Sequence, residues 1–96
     1  MILHVVNSSP FQSNSLNDCL AQMSPEDRLL LIQDGVVATS VDEIEFKQLA
    51  LLSKEGRLWV LLDDLNARGL SVKLGQSCDY QQFVTLIAVT KSQIAW

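Results

Sequence analysis

Leu29-Leu30-Leu31-Ile32-Gln33-Asp34-Gly35-Val36 runs through four unbroken apolar residues and stops abruptly at a polar turn with an Asp-Gly pair. A run bounded in this way reads as a strand buried on both faces of an α/β sheet. Open parallel sheets gather ligands just beyond the carboxyl ends of their strands. Gln33, Asp34 and Gly35 therefore stand where a site is expected.

Upstream, Ile2 to Val6 is a short apolar run interrupted only by His4, and Asn7-Ser8-Ser9-Pro10 after it is turn material. Leu16, Cys19, Leu20 and Met23 recur at helical spacing, which predicts a first helix from about Leu16 to Met23. Ser15 and Asp18 resemble a capping box at its start. Ser24-Pro25-Glu26-Asp27 breaks that helix and leads into the central strand. Downstream, Val36 to Ala38 reads as a short helical turn. Asp42, Glu43 and Glu45 ahead of Lys47 and Lys54 suit the macrodipole of a second helix over Val41 to Ser53, with Phe46, Leu49 and Ala50 on one face.

Leu58-Trp59-Val60-Leu61-Leu62 is a second fully apolar strand, and Asp63 to Gly69 fits a short helix with acids at its start and a glycine at its end. Leu70 to Leu74 reads as a weaker fourth strand. Asp79 opens a last helix whose core face is expected to be Tyr80, Phe83, Val84, Ile87 and Ala88, with Leu86 and Val89 off that stripe. Ser92 to Trp96 closes the chain as a short strand, and an aromatic at the final position implies pinning into a core or an interface. Strands alternating with helices at these spacings predict one domain over residues 1–96, a three-layer α/β/α sandwich with a mostly parallel sheet.

Hydrophobic residues make up 48% of the 96 residues and charged ones 19%, an apolar excess that is expected to face a partner. The net charge is -4, and Arg28, Lys47, Lys54, Arg57, Arg68, Lys73 and Lys91 are scattered singly. Direct binding of nucleic acid, which needs a clustered basic footprint, is not expected. The apolar runs are too short to span a bilayer and no leader precedes them, so the chain reads as cytoplasmic. In that compartment Cys19 and Cys78 are expected to be free thiols. One histidine and no C-x-x-C leave no metal constellation, and the isolated glycines form no phosphate-binding loop, so no metal or cofactor is expected.

Asp34 could act as a phosphoacceptor or general base, but Asp-Gly is also a common turn dipeptide, and the turn reading is preferred. A Ser-His-Asp triad has no G-x-S-x-G elbow to support it. His4 within a buried strand reads as an imidazole bonded to a neighbour. Cys19 lies near the start of a helix, where amide dipoles favour a thiolate, although Asp18 opposes this and the apolar stripe suggests packing.

Leu3-His4 with Asn7, Ser9 and Pro10 is followed in order by Asn14-Ser15-Leu16 with Cys19-Leu20, and by Leu30 to Val36. Asp64-Leu65, Ala67-Arg68-Gly69-Leu70, Asp79-Tyr80 with Phe83-Val84, and Ala95-Trp96 complete the series. In this order the pieces resemble the TusB/DsrH family of small sulfur-relay subunits, nearly end to end. The resemblance implies a DsrE-like fold and assembly with TusC/DsrF-like and TusD/DsrE-like subunits into a heterohexamer. It implies passage of persulfide sulfur toward 2-thiouridine at the tRNA wobble position or, in the Dsr branch, a part in oxidation of stored sulfur. The chain would then be a carrier or accessory subunit rather than a self-sufficient catalyst. In such complexes the principal sulfur-carrying cysteine belongs to a partner, but DsrH-like chains carry one in the first helix. Cys19 matches that position as a possible persulfide carrier, whereas Cys78 falls where the family tends to have an aliphatic residue and reads as core.

Overall fold

The computed structural model describes residues 1–39 and 47–96. Its three aliphatic runs become β1 (Ile2–Val6), β2 (Arg28–Leu31) and β3 (Leu58–Leu61). Successive strand side chains point to opposite faces, and β2 needs apolar residues on both. Leu29 and Leu31 enter one core cluster and Leu30 enters the other, and none of the three is exposed to solvent. This two-sided burial explains why the run is continuous rather than alternating.

The remaining elements are α1 (Ser15–Gln22), a 3-10 segment (Gln33–Thr39), α2 (Lys47–Lys54), α3 (Leu62–Ala67), β4 (Gln76–Cys78), α4 (Tyr80–Val89) and β5 (Ser92–Ala95). All strand pairings are parallel, in the order β4-β3-β2-β1-β5. The chain steps one way from β1 to β4, and α4 then carries it back across the sheet to β5. Right-handed crossovers place helices on opposite faces when the direction of travel reverses. Residues of α1, α2 and α3 accordingly share one cluster (Cys19, Leu20, Leu49, Leu52, Leu65), while Leu86 of α4 packs with Leu3, Leu30 and Cys78 in the other. The three-layer sandwich read from the sequence is the fold.

Four local expectations are corrected. Ser15 does not cap α1: Asn14 holds that position without a side-chain bond, and the Ser15 hydroxyl pairs with that of Ser13 at 2.8 Å. The capping box belongs instead to α4, where Asp79 accepts from the Gln82 amide at 2.8 Å and the Gln82 side chain accepts from the Asp79 amide at 2.9 Å. Leu70 to Leu74 is no strand. Its Leu70 and Leu74 turn into the core as loop residues, and the ladder falls to the polar Gln76–Cys78, because an edge strand needs no two-sided apolar run. The start of the second helix near Val41, and Phe46 with it, lie outside the described residues; within α2, Leu49 is buried but Ala50 is exposed.

The last correction concerns α4. Leu86 is the buried residue, Phe83 and Ile87 are half-buried, and Tyr80, Val84 and Ala88 of the expected core stripe face outward. At 100° per residue, the helix is turned by about a quarter turn from the expected orientation. Two overlapping stripes competed, and attachments at both ends select the one containing Leu86. Asp79 caps the start, and the Gln93 amide donates to the Ile87 and Thr90 carbonyls at the end.

The turn after β2 is built around a close approach. A Cβ on Gly35 would lie 2.3 Å from the Val6 carbonyl oxygen, so only glycine lets the 3-10 segment close over the end of β1. Gly35→Ala is expected to cost about 2 kcal/mol or more in urea unfolding, because its obstacle is backbone rather than a movable side chain. On α4, Leu86→Ala should lose about 2–4 kcal/mol while Val84→Ser stays within about 0.5 kcal/mol. The opposite ranking would restore the orientation read from periodicity.

Candidate functional site

The polar centre of the molecule is at the amino ends of β1 and β2. In the Ser24-Pro25-Glu26-Asp27 turn, the Asp27 amide donates to the Ser24 carbonyl at 3.0 Å, and the Asp27 carboxylate accepts from the Ser24 amide at 3.0 Å. The same carboxylate accepts from the Ile2 amide at 3.0 Å and is 2.9 Å from His4 Nε2. On the other side of the ring, Trp96 Nε1 lies 3.0 Å from His4 Nδ1. An indole N–H can only donate, so Nδ1 is the acceptor and the proton toward Asp27 sits on Nε2. Arg57 closes the turn from outside, its Nε donating to the Asp27 carbonyl at 2.8 Å and its Nη2 to the Ser24 carbonyl at 2.9 Å.

His4 and Asp27 are buried, at 2% and 4% exposure. Burial alone would push the Asp27 carboxyl up, but hydrogen bonds from the Ser24 amide, His4 and the Ile2 amide outweigh it and hold the carboxyl below its ordinary value. Beside this network lies a cleft of about 540 Å³, lined by His4, Asp18, Gln22, Asp27, Ile94 and Trp96. With both ring nitrogens engaged, His4 cannot take a proton from a nucleophile without breaking one of its bonds.

The two thiols are set in the core. Cys19 is fully buried, and its thiol is pushed up to about 12 by burial and then by the negative charge of Asp27. Any help from the helix amides is overwhelmed, and the protonated thiol is favoured at neutral pH. Cys78, 2% exposed, is pushed up to about 11 by burial and then by Asp79. Both are free. Asp34 belongs to a different constellation, at the carboxyl ends of the strands. Arg68 donates to its carboxylate through Nη2 at 2.8 Å and Nε at 3.1 Å, while Asp64 accepts from the Gln33 amide at 2.7 Å. These bonds hold Gln33 at a φ of 49° and make Asp34 a turn residue. The structure bonds His4 directly to Trp96, the two having been singled out separately in the sequence, and sets on the ring's other side Asp27, which no motif marked.

Residues 8–93 match the model of the family described as DsrH like protein. The chain belongs to the DsrH-like family. It is 37% identical to Protein TusB of Yersinia pestis (strain Pestoides F) over 98 residues, covering 99% of this chain and 100% of that protein. Protein TusB of Buchnera aphidicola subsp. Schizaphis graminum (strain Sg) is 32% identical with the same coverage. The crystal structure of the ychN protein from E. coli superposes with a TM-score of 0.79 at 18% identity, covering 99% of this chain and 97% of that one, which shows the shared fold. Among the described residues of this DsrH-like chain, no helix is long and apolar enough to cross a membrane.

The network gives this DsrH-like protein a defined acid sensitivity. A carboxyl whose folded value is depressed contributes stability that is fully present above its unfolded value and is lost as the pH falls through the lower folded value. Stability should therefore drop below the ordinary carboxylate range, and Asp27→Asn should flatten that limb in unfolding curves recorded as a function of pH. Removing the carboxylate altogether, in Asp27→Ala, should cost about 3 kcal/mol or more, since two amides and an imidazole lose their acceptor inside the protein. Trp96→Phe, which keeps the ring but removes the donor to His4, should cost about 1–3 kcal/mol.

Proposed function

We propose that this chain is a subunit of a cytoplasmic sulfur-relay assembly that passes persulfide sulfur toward 2-thiolation of the tRNA wobble uridine. The observation that carries the reading is the full-length likeness to proteins named TusB, at 32% and 37% identity. Its partners in this reading are related small subunits of the TusC/DsrF-like and TusD/DsrE-like kinds, in a heterohexamer. The exposed apolar side chains of Tyr80, Val84 and Val89 on α4 suit a chain that assembles. Any RNA contact falls to another protein, because this one carries a net charge of -4 and scattered basic residues. The DsrH-like family match favours one second reading, a part in oxidation of intracellular sulfur with the same partners in kind.

Cys19 is the residue on this chain to which carried sulfur would be assigned. A carrier thiolate attacks a donor persulfide, the donor's thiolate leaves, and the new R-S-S⁻ is later relieved of its outer sulfur by a second thiolate. In the folded chain the Cys19 sulfur is buried, pushed up to about 12 and served by no free histidine nitrogen. As a carrier it would have to leave the core that α1 covers, moving with α1 itself. An accessory role needs no such movement, and the geometry supports it better.

Co-expression with the related subunits tests assembly, and measurement of 2-thiouridine in tRNA from cells lacking this chain tests the pathway. Assembly and loss of the modified base are expected; a chain that remains monomeric beside them, with unchanged tRNA, overturns the proposal. The assembled complex should also be treated with a persulfide donor and weighed intact. The accessory role predicts no added sulfur on this subunit, whereas an adduct abolished by Cys19→Ala would make it a carrier.

A further inference from the structure

On the α4 face, away from the His4 network, Arg28 lies over the Trp59 ring with its guanidinium carbon 5.3 Å from the ring centre. The other two arginines are fully employed: Arg57 bonds the Ser24 and Asp27 carbonyls and Glu55, and Arg68 bonds Asp34 and Asp64. Among the described residues, Arg28 has neither a carboxylate in ion-pair range nor a hydrogen-bond acceptor for its side chain. Its planar fork of donors is therefore positioned by the indole and left unmatched.

That fork borders a cleft of about 300 Å³ over β2, β3 and β4, whose polar lining is Gln76, Ser77, Gln82 and Thr85. Among the described residues no Asp or Glu lines it, in a chain that is acidic as a whole. The capping box orients one of these groups. Gln82 Oε1 is committed to the Asp79 amide, so its side-chain NH₂ is left as a donor. The Thr85 hydroxyl has no partner among the described residues and can donate as well, whereas Ser77, between Gln76 and Cys78 on β4, turns its side chain to the other face of the sheet. A cation, an amide donor and a hydroxyl bordering one cleft, with no carboxylate among its described lining residues, match the needs of a small oxyanion.

We propose that this cleft binds an oxyanion group, a carboxylate or a sulfate-like anion, with Arg28 as its bidentate anchor and Gln82 and Thr85 as supporting donors. The oxyanion has two sources, a free inorganic anion or a carboxylate presented by a partner subunit. The second source rests on the assembly proposed above.

Titration of the intact chain with sodium sulfate or sodium acetate, against sodium chloride at equal ionic strength, should give saturable NMR shifts at the Arg28 Nε–H, the Trp59 indole N–H and the Gln82 amide. A dissociation constant in the roughly millimolar range is expected for so small a ligand. Arg28→Met should weaken binding about tenfold or more, and Arg28→Lys should restore only part of it, because it keeps the charge and loses the fork. In the assembled complex, a partner carboxylate would block the titration and make assembly weaker by about tenfold in Arg28→Met. A free anion as occupant would leave both unchanged. Absence of saturable shifts in the free chain, together with assembly indifferent to Arg28→Met, overturns the proposal. A chain that fails to assemble with any related subunit overturns the functional reading instead, and the titration of the free chain then decides this one.

Discussion

The buried carboxylate of Asp27 is the interaction around which this fold is organised. It receives the Ile2 amide from β1, the Ser24 amide from the turn before β2, and the His4 ring, which in turn accepts from Trp96. An ion in that position is tolerated only with its lone pairs matched, and here the matching groups come from segments far apart in sequence. The network consequently sets the amino ends of β1 and β2 together, and the Trp96 amide bond to the Val5 carbonyl extends β5 along β1. Arg57 ties the same turn to the residue preceding β3. Four of the five strands, β1, β2, β3 and β5, are thus tied to this turn and its partners.

This arrangement also limits the chemistry available. A buried histidine and a buried cysteine in one small domain suggest an activated thiol, but the ring is oriented by Asp27 and occupied by Trp96, and the Asp27 charge raises the Cys19 thiol further. The same carboxylate that secures the fold makes the thiol a poorer nucleophile. In the assembly proposed above, a DsrH-like chain built in this way would contribute surfaces more readily than a reactive group. Its unspent features lie elsewhere: the outward apolar residues of α4 and the unmatched guanidinium of Arg28.

Much of the fold was legible because its strongest determinants are local. Leu29 to Ile32 and Leu58 to Leu61 have no polar residue to interrupt them, and such runs fit only a strand buried on both faces. Asp79 marked the start of α4, although the capping box it forms with Gln82 was expected at Ser15 and Asp18 instead. The errors occurred where local pattern left two answers open. Leu70, Val72 and Leu74 alternate like a strand, but Leu70 and Leu74 are loop anchors and Val72 is exposed, and α4 carries two apolar stripes, one of which is selected by the packing of Leu86 against Leu3 and Leu30 together with the attachments at both helix ends. The site was less legible. Asp27 looked like part of a helix-breaking turn, since nothing in Ser24-Pro25-Glu26-Asp27 tells that its last carboxylate will be buried beneath Ile2 and His4. Asp34 was read correctly as a turn residue, but its partner Arg68 is supplied by an element distant in sequence.

The central claim is that His4 is held with its proton on Nε2, facing Asp27, and with Nδ1 occupied by Trp96. Nitrogen-15 NMR of the imidazole ring reads this directly in the native chain. The account predicts a single tautomer, protonated at Nε2, with Nδ1 coupled across a hydrogen bond to the Trp96 indole proton and that proton slow to exchange with water. A ring protonated at Nδ1, or one averaging between tautomers with a rapidly exchanging indole proton, would contradict it and return His4 to the candidates for a base.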